Sequence, residues 1–170
     1  RFPNPKNAFI SMPRWSADGT KIVALKTTEK GKNIIQIDVE NGNVVDLFPP
    51  SNRNYGHPIQ YKNYVLYNLP LNGIDNIYAF DLKTGEQFQV TSRKFGAFNP
   101  SISDDGDTIF FNDYQVNGME IAKMPFLPET WTPIEEIDLD FEQEKFIQPI
   151  INQERDFSVD ETSSSDSITI

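Results

Sequence analysis

Ser16-Ala17-Asp18-Gly19 returns as Ser103-Asp104-Asp105-Gly106. Each copy has a proline three residues before it, Pro13 or Pro100, and an apolar run after it, Ile22-Val23-Ala24 or Ile109-Phe110-Phe111. A strand–turn–strand phrase that recurs means the chain is built by repetition. Asp-Gly between apolar runs signals a hairpin: glycine tolerates positive φ, and the aspartate accepts hydrogen bonds from turn amides. The phrase therefore decides the scaffold and assigns no chemistry, because function sits in loops carried by scaffolds.

The spacing sets the unit. Pro13, Pro58 and Pro100 lie 45 and 42 residues apart. A second phrase, Ile35-Gln36-Ile37-Asp38 through Gly42, returns as Tyr78-Ala79-Phe80-Asp81 through Gly85, 43 residues on, with a degenerate third copy at Glu120–Met124. A period near 43 residues is the length of one four-stranded propeller blade. The first unit predicts strands near 12–15, 21–25, 34–39 and 43–47. The second predicts strands at 64–67, 76–80 and 87–91, with a shorter first turn at Tyr61-Lys62-Asn63. β-Branched and aromatic residues fill these runs, and no segment has helical periodicity. The expected fold is all-β, a propeller-like array of four-stranded antiparallel blades, incomplete or excised from a larger propeller. Its units span about 10–48, 56–91 and 98–134, within a repeat region 1–134.

Residues 135–170 read as an acidic tail. The repeat region has a net charge of −1 and the tail one of −9. Such a tail argues against nucleic acid or anionic lipid as a partner. Ile137, Leu139 and Phe141 alternate with acids, as in a half-buried strand. Phe157-Ser158-Val159 and Ser167–Ile170 flank a polar stretch and resemble the start of a fourth unit; the serine run between them reads equally as a linker.

Composition removes several chemistries. With no cysteine there is no disulfide, zinc–thiolate site or thiol nucleophile, and one histidine, His57, cannot build a multi-histidine metal site. No stretch approaches the roughly 18 apolar residues that span a bilayer, so direct membrane insertion is not expected. The opening Arg1-Phe2-Pro3-Asn4-Pro5 has no methionine and no apolar signal region, which suggests a piece of a longer protein.

Pro13-Arg14-Trp15-Ser16-Ala17-Asp18-Gly19-Thr20-Lys21-Ile22-Val23 resembles the TolB-like β-propeller repeat, and Pro100–Gly106 with Ile109-Phe110-Phe111 looks like a second copy. Ile77–Glu86, ending Gln89-Val90-Thr91, is similar to the second half of that repeat. The resemblance covers roughly residues 10–125. It implies a propeller that usually closes with six or seven blades, of which about three are present. It implies a periplasmic or envelope-associated location, with a cytoplasmic one as the alternative.

The repeated Ser16, Asp18, Ser103 and Asp105 read as hairpin residues rather than catalytic ones. Trp15 reads as a wedge between blades. His57 could join a serine and an acid, but no Gly-x-Ser-x-Gly elbow occurs. Asp104-Asp105-Gly106-Asp107 does not complete a calcium loop. No catalytic residue, metal or cofactor is assigned. The five loop segments 29–33, 51–57, 71–76, 92–98 and 113–117 collect on one face and carry Arg53, Tyr55, His57, Arg93, Lys94, Phe95, Phe98 and Tyr114. Arginine and aromatic residues on rigidly held loops are what binding hot spots use. The expected function is a non-catalytic binding or scaffold module, with a protein partner or a neighbouring domain of the same chain. The alternative is the propeller of a larger peptidase or hydrolase, its catalytic residues elsewhere.

Overall fold

A computed structural model describes residue 4 and residues 7–137. The expected strands beyond Ile137, and the fourth unit they would begin, lie outside the described residues.

The chain is arranged in antiparallel sheets, one per repeat. Blade 1 contains β1 (Phe9–Trp15), β2 (Lys21–Thr28), β3 (Gly31–Asp38) and β4 (Val44–Asp46), hydrogen-bonded in that order. Blade 2 contains β5 (Gly56–Tyr61), β6 (Tyr64–Leu69), β7 (Asn76–Asp81) and β8 (Gln87–Gln89). Blade 3 contains β9 (Ala97–Ile102), β10 (Thr108–Gln115) and β11 (Gly118–Pro125). The third unit does not supply its own fourth strand. Residues 126–131 leave it, and β12 (Thr132–Pro133) pairs with β8 as a fifth strand of blade 2.

The repeated turn is closed by its own side chains. Ser16 Oγ donates to Asp18 Oδ1 at 2.6 Å and accepts from the Lys21 N–H at 2.9 Å. Asp18 Oδ1 also accepts from the Thr20 N–H at 3.0 Å. The Ser16 hydroxyl, then the Thr20 amide, hold the Asp18 carboxyl down at about 2. In the second copy Ser103 donates to Asp105 and accepts from the Thr108 N–H at 3.0 Å. The Asp105 carboxyl is lowered in turn, chiefly by the Ser103 hydroxyl. Gly106, at φ +79°, is required twice over: a Cβ there would meet the Tyr61 hydroxyl of blade 2 at 1.6 Å.

Strand alternation divides blade 2 between its neighbours. Val65, Tyr67 and Tyr78 face blade 1 and pack with Val23, Leu25, Ile34, Phe48 and Tyr55. Leu66, Ile77 and Ala79 face blade 3 and pack with Ala97, Ile109 and Phe111. This period of two puts a core on each side of one sheet. The segment that leaves blade 3 seals both. Trp131, 6 % exposed, and Phe126 pack on the blade 2–blade 3 core, while Ile134 and Ile137 pack on the blade 1–blade 2 core.

Two segments expected as long loops are tight hairpins. β2 and β3 stay paired to Thr28 and Gly31, and β10 and β11 to Gln115 and Gly118. Gly31 and Gly118 take φ values of 114° and 124° and let the ladder run to the turn. Tyr114 is therefore a strand residue. It lies beside Met119 on an exposed face of blade 3 that also carries Phe110 and Ile121.

Candidate functional site

The first strands of the three blades, β1, β5 and β9, lie side by side with β5 between the other two. Each carries one irregularity at the same place. Met12, His57 and Asn99 take left-handed φ values of 51°, 46° and 53°, and each directly precedes its blade's proline. Each strand also slips its register there: between Ser11 and Arg14, between Gly56 and Ile59, and between Phe98 and Ser101. Proline has no N–H to give to the ladder, and a bulge absorbs that loss. The left-handed conformation is costly for a side chain such as that of methionine and is better tolerated by histidine and asparagine. Strain repeated in register at one place in the fold marks that place as a site to inspect.

A cleft of about 450 Å³ opens along these strands. Arg14 and Trp15 line it from β1, His57, Gln60 and Tyr61 from β5, and Asn99 and Ser101 from β9. Asp104, in the turn after β9, completes the rim. Trp15 is 62 % exposed, so it forms a wall of the cleft and not the wedge between blades that the sequence suggested. Its strand is an edge of blade 1, and the blade 1–blade 2 core is built by β2, β3, β6 and β7 and by the chain that follows β4. Arg14 is exposed and makes no ion pair among the described residues.

His57 is oriented from behind. Its Nδ1 lies 3.1 Å from Asn68 Oδ1, and Asn68 Nδ2 donates to Asp75 Oδ1 at 2.8 Å. A carboxylate only accepts, so Asp75 turns the Asn68 amide nitrogen toward itself and the amide oxygen toward His57. In the neutral imidazole the proton therefore sits on Nδ1, and Nε2 presents a lone pair. Asn68 is 5 % exposed, and Gly56 makes room for it: a Cβ on Gly56 would meet Asn68 Nδ2 at 2.8 Å. The His57 backbone N–H donates to Met12 Sδ at 3.4 Å, tying the bulges of β5 and β1 together.

The other expected site residues scatter. Tyr55 is no surface residue: it is 4 % exposed and stacks on Phe48 with centroids 5.3 Å apart, because the chain after β4 turns inward to cover the blade 1–blade 2 core. Arg53 is exposed in the same connection. Arg93, Lys94 and Phe95 stay together ahead of β9. The Arg93 N–H donates to Asn76 Oδ1 at 2.7 Å, its guanidinium lies 5.3 Å from the Phe111 ring, and its Nε is 3.6 Å from Asp113 Oδ2. Lys94 sits over the Phe95 ring at 5.3 Å. Phe98 is half-buried beside Gly96. Among the described residues, no group of three or more histidines, aspartates or glutamates is placed to hold a metal ion.

Arg14, Gln60, Tyr61, Asn99 and Ser101 were not read as site residues from the sequence. The signal was present in the prolines at 13, 58 and 100: the residue before each is the bulge, and those around it face the cleft.

No family model matches the chain, and no curated protein sequence does. Solved structures do. A protein described as TolB from Agrobacterium tumefaciens superposes with a TM-score of 0.60 at 16 % identity, over 70 % of this chain and 46 % of the other. TolB from Acinetobacter baumannii gives 0.61 at 16 % identity, over 78 % and 33 %. A prolyl endopeptidase gives 0.54 at 11 % identity, over 70 % and 18 %. The chain thus has the fold of a TolB-like β-propeller and spans less than half the length of these structures.

Proposed function

We propose that the chain is a non-catalytic recognition module whose ligand surface is the cleft along β1, β5 and β9. The observation that carries this reading is the cleft itself. It holds an arginine that makes no ion pair among the described residues, an exposed tryptophan and an oriented histidine on rigid strands, with left-handed backbone at two of its lining residues. Aromatic and arginine side chains on a rigid frame are the common anchors of binding surfaces. The Ser103 hydroxyl at the cleft is committed to the hairpin, where it donates to Asp105. The segment Arg93-Lys94-Phe95 offers a second contact surface away from the cleft. The partner is a protein or another domain of a longer chain, and the location is the periplasm or cell envelope. Among the described residues no helix is long and apolar enough to cross a membrane.

The test compares two variants in partner capture from source-cell extract. Arg14→Gln with Trp15→Ala is expected to abolish capture, and Arg93→Ala with Lys94→Ala and Phe95→Ala to weaken it. Arg14, Trp15, Lys94 and Phe95 are exposed, whereas Arg93 pairs with the buried Asp113, so circular dichroism checks the fold of both variants first. Undiminished capture by the cleft variant would remove the reading. A second reading is favoured by the similarity to the prolyl endopeptidase structure: the module would restrict substrate access to a catalytic domain on the same chain. A hydrolase domain in the flanking sequence would distinguish it.

A further inference from the structure

Two groups in the cleft are committed in opposite senses. Arg14 is a donor-only cation, and carboxylates are the acceptors its planar fork fits best. Neutral His57 is an acceptor at Nε2, because the Asn68–Asp75 relay occupies its proton at Nδ1. The two come from adjacent strands tied at the Met12–His57 contact, and both line the same cleft. Asp104 also lines the cleft, and its charge disfavours a carboxylate placed beside it. Trp15 offers an apolar wall for whatever the ligand carries beyond these two points.

We propose that the cleft binds carboxylic acids that carry a hydrogen-bond donor beside the carboxylate, as 2-hydroxy acids do. Arg14 pairs with the carboxylate, and His57 Nε2 accepts from the neighbouring hydroxyl. Asn68 is a positioning residue: it acts through the histidine it orients. Such a pairing discriminates more sharply than a cation alone, because an acid without the donor leaves the histidine lone pair unmet. This assignment rests on the cleft being the ligand surface.

The chain suits a direct test, since His57 is its one histidine and its two tryptophans differ in exposure. The probes are mandelate, which has the hydroxyl, and phenylacetate, which lacks it. Nitrogen-15 spectra of the imidazole should show the proton on Nδ1, and a mixture of both tautomers in Asn68→Ala. Quenching of Trp15 fluorescence should show mandelate binding roughly three- to tenfold tighter, the worth of one hydrogen bond. Arg14→Gln should lose both acids. His57→Phe, with its fold checked by circular dichroism, should bind both equally. A proton on Nε2, equal binding of the two acids to the unaltered chain, or unchanged binding by Arg14→Gln would overturn the proposal. So would a Trp15 signal silent to both acids; partner capture through the cleft would then still stand, because the extract experiment measures it separately.

Discussion

Asn99 shows most simply what the bulges cost. At φ 53° it occupies a conformation that asparagine and glycine tolerate and alanine does not. Asn99→Ala should therefore destabilise the chain by about 1 kcal/mol, and Asn99→Gly should be close to neutral. Urea denaturation of both variants measures the difference. Asp18 makes a second residue-level prediction. Its carboxyl lies at about 2 against an ordinary 3.8, so its folded value is depressed. Its contribution to the hairpin is complete above the ordinary value and is lost as pH falls through the folded one. The Thr20 amide, which donates to Asp18, should titrate with a midpoint near 2; a midpoint at 3.8 would show that the turn bond does not form. These turn roles were legible in the sequence, because Ser-x-Asp-Gly is local chemistry. The orientation of His57 was not. Asn68 and Asp75 are ordinary polar residues until strand pairing sets Asn68 opposite Gly56.

At the scale of elements, period-two alternation and turn residues were enough to find β1 to β4 and β6 to β8. They were not enough to find where strands stop. The loop ends of β2 and β3 are polar and those of β10 and β11 mix polar residues with Tyr114 and Met119, and pairing carries all four outward regardless of composition. Nor did the sequence show that Thr132–Pro133 joins β8. A two-residue strand has no periodicity to read; its place follows from Trp131, whose ring packs against Tyr64 at 5.0 Å and Phe126 at 5.2 Å. Burying an indole is worth several kcal/mol. Trp131→Ala should cost about 3–5 kcal/mol and release β12. Chemical denaturation followed by circular dichroism reads that loss, and a cost under about 1 kcal/mol would show that the strand pairing, not the ring, anchors the segment.

For the molecule as a whole, the repeat count and the propeller fold could be read before any coordinates, while the cleft could not. The long-loop face looked functional because arginines and aromatics cluster there in sequence, yet strand pairing and core packing claim Tyr114 and Tyr55. The cleft is assembled from a few residues of each repeat, and only the stacking of three sheets makes them neighbours. That stacking is itself secured from outside. The chain after Pro125 runs from the blade 2–blade 3 core to the blade 1–blade 2 core, as a lace passes through successive eyelets. Repeat arrays with contacts only between neighbours fray from their ends. Here a single cut near Phe126 would loosen every seam together, so hydrogen exchange in β2, β6 and β10 should proceed as one cooperative event rather than blade by blade.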